Sequence, residues 1–395
     1  MPIEEARNYR FALHHLGFRP FFLAGALFSV AAVAVWFWLY QFGGELPMRS
    51  LPPITWHAHE MIYGYTMAVV AGFLLTAVSN WTNVRTLHGP LLIVLALVWL
   101  AARLMPGLGD AALVPMAVLD LLFLAGLSVA LLHPIVKARQ WPQIGVWSKV
   151  VLLLLSNALF YLGVFGTLEN GVQWGLYSGL YLMVSLVLLM GRRVIPFFIE
   201  RGVDEKVTLT NRAWLDVASL VLMLVFWIIE VFFVLPMVSA LLAASLFLLH
   251  GLRLLGWHTP GIWRKPLLWV LYLGYGWITV GFGLIALSKA GGINPMLAIH
   301  ALVYGGIGMM TLGMMARVAL GHTGRNVFAP PAVVTPMFLL LFAGALARVV
   351  APVLMPQAYV PWMGAAQVLW MAAFALFAFV YAPYLVLPRV DGRYG

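Results

Sequence analysis

The residues from Phe21 to Phe42, FFLAGALFSVAAVAVWFWLYQF, form an unbroken apolar run without one charged side chain. The run is as long as the roughly 20 residues that an α-helix needs to cross the hydrocarbon core of a bilayer. Buried strands of soluble proteins are shorter, and surface helices of soluble proteins carry polar residues on one face. This stretch therefore predicts a transmembrane helix.

Runs of the same kind recur along the whole chain, separated by short connections rich in proline, glycine and charge. The 395 residues are 63% hydrophobic and 9% charged, whereas a soluble domain has about 25% charged residues. A chain with so many apolar runs spans lipid as helices, because each helix satisfies its own backbone hydrogen bonds. We predict an all-α, polytopic bundle of about 12 transmembrane helices that forms one integral membrane domain. The predicted helices are 18–41, 56–79, 89–105, 111–132, 145–166, 171–191, 213–234, 235–254, 266–288, 296–320, 333–354 and 360–386.

The basic residues indicate the orientation of this bundle. With an even number of helices, both termini lie on one side, and most of the 23 lysines and arginines fall there. The exceptions are Arg49, Arg103, Lys289 and Arg348. The positive-inside rule then places both termini in the cytoplasm. Because the basic residues lie in short loops, the net charge of +10 indicates membrane topology and no nucleic-acid partner.

Two features bear on the ends and the halves of the chain. The N-terminal segment carries Glu4, Glu5 and Arg7 and does not look like a cleavable signal. The most charged connection, residues 192–212, divides the helices into two sixes, with possible halves 1–200 and 201–395. A short echo between Arg19-Pro-Phe-Phe and Pro196-Phe-Phe is a weak indication of an internal repeat, a feature of many transporters.

The chain has no cysteine, which excludes disulfides, thiolate-bound haem and the usual iron–sulfur clusters. Histidine is then the main candidate for binding a redox metal. His57, His59 and Glu60 stand at the start of the second predicted helix. On a regular helix His57 and Glu60 share a face and His59 points elsewhere. The cluster indicates a metal or proton site, and the alternative is a helix start whose imidazoles touch water.

His300 lies about one turn inside the tenth predicted helix, at the predicted depth of His57 and His59. Three imidazoles at one level suit copper or haem iron. Tyr304 follows one turn deeper on the same face. Gly305 and the two glycines that follow it flatten this helix, which allows either close helix packing or the approach of a flat macrocycle.

A second group lies toward the predicted cytoplasmic side. It contains His250 at the end of the eighth helix and His322, which is roughly 33 Å along the helix from His300. A continuous helix therefore indicates two separate sites. Arginines accompany this group and can either pair with haem propionates or serve as ordinary positive-inside residues. These arginines are Arg253, Arg317 and Arg325, and the remaining interfacial histidines are His14, His15, His88 and His133.

Carboxylates within apolar runs are a further indication of function. Glu60, Asp120 and Glu230 fall inside such runs or at their ends, where a carboxylate is usually paired or part of a proton relay. Glu230 and Arg348 are predicted at a similar depth, so the two side chains can form an ion pair.

Several motifs together resemble the NnrS family of bacterial membrane proteins. The resemblance spans nearly the whole chain in the same order. Its blocks are Gly17-Phe-Arg-Pro-Phe-Phe22, Trp56-His-Ala-His-Glu-Met61 with Gly64, Ala71-Gly-Phe-Leu-Leu-Thr-Ala77 with Asn80-Trp81, Arg192-Arg193 with Pro196-Phe-Phe198, Arg253 with Trp257, Gly274-Tyr275, and His300 followed by Thr311-Leu-Gly-Met-Met315, Arg317 and Leu320-Gly-His-Thr-Gly-Arg325.

The resemblance implies a twelve-helix protein of the bacterial inner membrane that contains haem and copper and acts on nitric oxide, in denitrification or in protection from nitrosative stress. The haem would be haem b, and the electron donor is unknown. We expect His57, His59 and His300 to form the metal-ligand set on one side and His250 and His322 the haem set on the other. Glu60, Tyr304 and Glu230 are the expected proton carriers.

Two other functions stay open at this point. Twelve helices in two sixes are also typical of secondary transporters of small solutes. A haem protein can also bind or sense nitric oxide without catalysis. The histidine clusters favour a metal protein over a transporter, which more often places its polar residues on broken helices in the middle of the membrane.

Overall fold

The computed structural model describes residues 10–395, so that Glu4, Glu5 and Arg7 lie outside the described part of the chain. The described residues form helices and connections without a strand. Twelve helices are long and apolar enough to cross a membrane. The prediction of an all-α chain with twelve spanning helices is therefore confirmed, whereas the cytoplasmic placement of the termini stays a prediction.

The twelve helices follow one another with short connections. We label them α1 (Phe18–Phe42), α2 (Pro53–Thr82), α3 (Pro90–Leu108), α4 (Asp110–Lys137), α5 (Trp141–Val164), α6 (Gly171–Gly202), α7 (Ala213–Phe232), α8 (Pro236–Trp257), α9 (Pro266–Lys289), α10 (Pro295–His322), α11 (Val334–Leu354) and α12 (Pro356–Val386).

Two predicted helix ends are wrong, one placed at Pro134 and one at the charged pair Arg192-Arg193. We expected α4 to end before Pro134 and α6 to end before Arg192, yet both helices continue past a proline, to Lys137 and Gly202. Proline removes one backbone hydrogen bond and clashes with the preceding turn, which usually ends a helix in a soluble protein. Transmembrane helices tolerate it because their surroundings satisfy the freed carbonyl group.

The described chain forms two compact units. Unit 1 contains residues 10–179, Met315–Val327 and Phe374–Gly395, and unit 2 contains Leu180–Met314 and Phe328–Ala373. Helices α1 to α5 lie in unit 1, while α7, α8 and α9 lie in unit 2. The predicted halves 1–200 and 201–395 stay a prediction.

The packing of α1 on α2 in unit 1 is repeated by α9 on α10 in unit 2. In each pair, glycines of one helix lie so close to the other that an added methyl group would meet its side chains. Small residues of this kind let membrane helices approach closely. Gly25 lies against Ala68 and Val69, as Gly274 lies against Met309 and Met310. Gly72 lies against Phe21 and Phe22, as Gly313 lies against Val270 and Leu271. Gly64 lies against Phe28, as Gly305 lies against Trp277.

The second helix of each pair also shares a local distortion. His59 in α2 and His300 in α10 are each followed by Tyr-Gly at the fourth and fifth positions. In each helix a π-helical segment begins immediately after the histidine, at Glu60–Thr66 and at Ala301–Gly308. This repeat differs from the echo read in the sequence, because Pro20 opens α1 whereas Pro196 lies inside α6.

The two ends of the described chain pack together in unit 1. The backbone N–H of Ala12 donates to the carbonyl of Val386 at 2.7 Å, and the ring of His15 stacks on Tyr394 at 4.5 Å. The buried guanidinium of Arg19 donates to the carbonyls of Leu385 and Leu387, each at 2.8 Å. Residues 12–19 are therefore held against residues 385–394.

Burial and the nearby positive charges of His14 and Arg19 lower the pKa of His15 to about 4, from a usual value of 6.5. Between these two values the released segment binds a proton that the packed segment does not, so packing weakens as the pH falls. We expect the amide of Ala12 to exchange hydrogen faster near pH 5 than near pH 7, after correction for intrinsic exchange. His15→Phe should remove this dependence and the control His88→Phe should keep it. Equal protection at both pH values contradicts the prediction.

Candidate functional site

The π-helical segment of α2 decides which of its polar side chains face the protein interior. A π-helix has more than four residues per turn, so it shifts the faces set by a regular helix. His59 and Glu60 are both buried, at 0% and 1% exposure, while His57 is half-buried and stacks on the ring of Trp36 at 4.5 Å. The expectation that His57 shares a face with Glu60 while His59 points elsewhere applies to a regular helix, and α2 is irregular from Glu60 onward.

Glu60 belongs to a buried carboxylate cluster in unit 1, which also contains Arg103, Asp120, His59 and Tyr161. The guanidinium of Arg103 donates to Glu60 Oε2 at 2.7 Å with Nη1 and to Asp120 Oδ1 with Nη2. Tyr161 Oη donates to Asp120 Oδ2 at 2.5 Å. The cluster therefore contains two carboxylates bridged by one guanidinium, in a region that excludes water.

His59 completes this cluster through both of its ring nitrogens. Nδ1 lies 3.2 Å from Glu60 Oε1, and Nε2 lies 3.0 Å from the amide oxygen of Asn157 and 3.6 Å from Asp120 Oδ2. A metal ligand directs the lone pair of one nitrogen at the ion. In this conformation each nitrogen of His59 is next to a side-chain oxygen, so the ring fits a metal ligand less well than an imidazole with an unoccupied nitrogen.

A second polar cluster, the His250 cluster, lies in unit 2 and contains His250, Tyr275, Arg253 and Asp216. His250 Nδ1 lies 2.6 Å from Tyr275 Oη, while the buried Nε2 has no hydrogen-bond partner among residues 10–395. Arg253 donates to Tyr275 Oη at 2.9 Å and to Asp216 Oδ1 at 2.7 Å. The ring of His250 thus has one anchored nitrogen and one nitrogen that can accept a ligand.

His300 and Tyr304 lie at the π-helical segment of α10 in unit 2. His300 Nδ1 lies 2.7 Å from the carbonyl oxygen of Met296 and 3.0 Å from Arg348 Nη2. Tyr304 Oη donates to the carbonyl oxygen of Ala366 at 2.7 Å. Arg348 itself lies in a third π-helical segment, Leu346–Val350 of α11. Two irregular helices therefore set the surroundings of His300.

The predicted ion pair between Glu230 and Arg348 is wrong. Glu230 Oε1 pairs with Lys289 Nζ at 2.8 Å. The two residues stand at the ends of α7 and α9, where a long lysine side chain reaches a carboxylate near the apolar boundary. The sequence predicts the depth of Glu230 in the membrane, but it does not predict which helix carries the partner of Glu230.

The remaining predicted haem residues lie in unit 1, near the packed chain ends. The ring of His322 lies 5.6 Å from that of Phe18, and its carbonyl accepts from Arg389 at 2.8 Å. Arg325 lies 3.9 Å from the centre of the Tyr384 ring, and burial lowers the pKa of Arg325. Arg317 is half-buried on α10. His322 and His250 thus belong to different units.

An apolar groove of about 560 Å³ lies in unit 2. Its lining is apolar apart from Thr279, and it includes Leu297, one turn before His300, and Val349, next to Arg348. Such a lining suits lipid chains or small uncharged molecules and disfavours ions.

The structure brings together some predicted site residues and adds others. His59 and Glu60 share one cluster, and His250 and Arg253 share another, whereas the predicted set of His57, His59 and His300 draws on both units. Within residues 10–395 no group of three His, Asp or Glu side chains is placed to hold a metal ion. Residues that the sequence did not assign to a site are Arg103, Asn157, Tyr161 and Tyr275.

The carboxylate cluster predicts a large effect on stability. Arg103→Met leaves Glu60 and Asp120 facing each other without a cation, and removing one partner of a buried pair costs about 3–5 kcal/mol. Arg49→Met is the matched control, because Arg49 and Glu45 form an exposed pair at 3.8 Å, which contributes about 1 kcal/mol or less. The free energy of unfolding in mixed micelles measures both, and equal losses would contradict this role of the cluster.

Comparison with known proteins bears on the identity of the chain. A family model described as NnrS protein matches residues 12–389, nearly the whole chain. A comparison with curated proteins gives no match. The chain belongs to the NnrS family, and this membership suggests a multi-pass membrane protein related to nitric oxide.

Proposed function

We propose that this protein binds haem b and copper and reduces nitric oxide to nitrous oxide. The observation that carries the proposal is the buried Nε2 of His250, which has no hydrogen-bond partner in the described part of the chain. Buried polar atoms are rarely left unpaired, and a neutral imidazole nitrogen is a common ligand of haem iron. Family membership adds the relation to nitric oxide.

His250 is the residue that best fits the proposed haem. His322, Arg317 and Arg325 remain proposed haem residues of unit 1, with the arginines as partners for propionate groups. The guanidinium of Arg253 is already hydrogen-bonded to Asp216 and Tyr275, so it fits propionate binding less well. When bound, haem b together with copper would supply a centre that takes up electrons and binds the gas.

His57 and His59 in unit 1 and His300 in unit 2 are separate proposed copper ligands. His300 fits this role because its Nδ1 lies 2.7 Å from a backbone carbonyl, the kind of contact that orients metal-bound histidines. His59 fits least well, because both of its nitrogens already contact side-chain oxygens. We therefore give copper no step of its own in the reaction.

The reaction combines two molecules of nitric oxide with two electrons and two protons, and it forms one nitrous oxide and one water. An external one-electron carrier supplies the electrons. Glu60, Tyr304 and Glu230 are the proposed proton carriers. Glu60 Oε2 accepts from the guanidinium of Arg103, which stays protonated, so a proton would pass through its other oxygen, Oε1, which lies 3.2 Å from His59 Nδ1. Nitric oxide is small and uncharged, so it can reach an intramembrane site through lipid.

The test uses the full chain purified in detergent. We expect a Soret band, a b-type pyridine haemochrome and bound copper. With ascorbate and a redox mediator under anaerobic conditions, we expect one nitrous oxide for every two nitric oxide molecules consumed, measured by electrode and gas chromatography.

Three outcomes would contradict parts of the proposal. A folded sample without iron and copper excludes a metal protein and favours a transporter. Haem that binds nitric oxide without forming nitrous oxide excludes the reductase and favours a sensor. His250→Ala with unchanged haem content removes His250 from the haem site.

A further inference from the structure

The orientation of the His250 ring is fixed from two directions. The ring is 1% exposed and stacks on Phe282, with the ring centres 5.9 Å apart and the planes 16° apart. This stacking sets the plane of the imidazole. The contact of 2.6 Å between Nδ1 and Tyr275 Oη then sets its rotation within that plane. Within the residues that the structure describes, Nε2 is then the ring nitrogen without a hydrogen-bond partner.

Tyr275 is held in turn by a set of groups that do not touch the Nε2 side of the ring. Arg253 Nη1 donates to Tyr275 Oη at 2.9 Å, and the edge of Trp257 packs on the tyrosine ring at 5.0 Å. The guanidinium of Arg253 is fixed by three groups of α7. Its Nη2 donates to Asp216 Oδ1 at 2.7 Å, Ser219 Oγ at 3.0 Å and the carbonyl oxygen of Leu215 at 3.1 Å.

We propose that Tyr275 is a positioning residue that directs Nε2 of His250 at the haem, with Arg253 fixing the tyrosine from behind. This inference rests on the proposed binding of haem. The hydroxyl oxygen of Tyr275 has two lone pairs. One accepts from Arg253, and the other accepts from Nδ1–H of His250, so that the lone pair of the imidazole stands on Nε2. Metal-bound histidines commonly donate their second ring nitrogen to such a partner, which fixes the tautomer and raises the basicity of the ligand.

The same arrangement gives Arg253 a role that differs from the one expected from its charge. Its donors are directed to Tyr275, Asp216, Ser219 and Leu215. Its Nη1 also lies 3.4 Å from His250 Nδ1, and Asp216 accepts from Arg192 at 2.8 Å. The guanidinium therefore acts on the haem through Tyr275 and His250, and it is not the partner of a propionate.

The test is a titration of the haem-depleted full chain with hemin in detergent. Tyr275→Phe keeps the ring packing and removes only the hydroxyl. We expect it to weaken haem binding about 10- to 100-fold, the usual effect of losing such a partner. We also expect shifted ferric and ferrous spectra and a changed midpoint potential, which a loss of general stability would not produce.

Tyr272→Phe is the matched control on the same helix. Its hydroxyl donates to the carbonyl oxygen of Leu254 at 3.1 Å, so the variant also loses one hydrogen bond, but it does not touch His250. We expect haem affinity and spectra within twofold of the unmodified protein. Arg253→Lys provides a second test of the chain, because lysine cannot make the same forked contacts, and it should shift the spectrum in the direction of Tyr275→Phe.

The outcomes separate this inference from the proposed function. If the unmodified protein binds no hemin, the proposed function fails. If it binds hemin and His250→Ala binds equally well, the haem lies elsewhere and only the inference fails. If His250→Ala loses binding while Tyr275→Phe behaves like Tyr272→Phe, the positioning role of Tyr275 is overturned. Should Tyr275→Phe not fold, an unchanged spectrum of Arg253→Lys overturns it instead.

Discussion

The structure depends on the high free energy of an unpaired charge in a region that excludes water. Three sets of ion pairs in the spanning helices keep charges paired. Arg103 bridges Glu60 and Asp120 deep in unit 1, Arg253 pairs with Asp216 in unit 2, and Lys289 reaches Glu230 near a helix end. Such pairs fix which helices lie side by side, because separating them would expose a charge to lipid. The buried charges therefore specify the helix arrangement as well as the chemistry.

The second constraint is local and concerns the helix backbone. Regular α-helices repeat their faces every 3.6 residues, so neighbouring residues such as His59 and Glu60 normally point apart. His59 and Glu60 nevertheless meet in one cluster, with Nδ1 and Oε1 3.2 Å apart, and the π-helical segment begins at this point. π-Helical segments occur often at functional sites. Their presence after His59 and after His300 indicates that both positions need a side-chain direction that a regular helix does not offer.

The sequence was sufficient for the number of helices and for most of their bounds, because each apolar run is long enough to span a bilayer. It failed at Pro134 and at Arg192-Arg193, where the helices continue to Lys137 and Gly202, because membrane helices tolerate an internal proline and a basic pair does not by itself end a helix. The site was predictable only in part. Arg103 was visible as a basic residue on the unexpected side of the membrane, but its partners are set by which helices pack together. Tyr275 carried no signal apart from its family motif, since tyrosine in an apolar run usually serves packing.

The two similar helix pairs, α1–α2 and α9–α10, share one local structure but place different polar groups around the histidine. In both copies a histidine precedes Tyr-Gly and a π-helical segment, and an arginine from the next helix lies beside it, Arg103 near Glu60 and Arg348 near His300. The position of Glu60 in the first copy corresponds to Ala301 in the second. Replacing a carboxylate by a methyl group removes both a negative charge and the acceptor that holds His59 Nδ1. His300 Nδ1 lies instead beside a backbone carbonyl, a neutral acceptor, so the two related histidines are placed in sites of different charge. His59 and His300 would need similar neighbouring groups to have the same role. The difference between Glu60 and Ala301 gives the two histidines different neighbours.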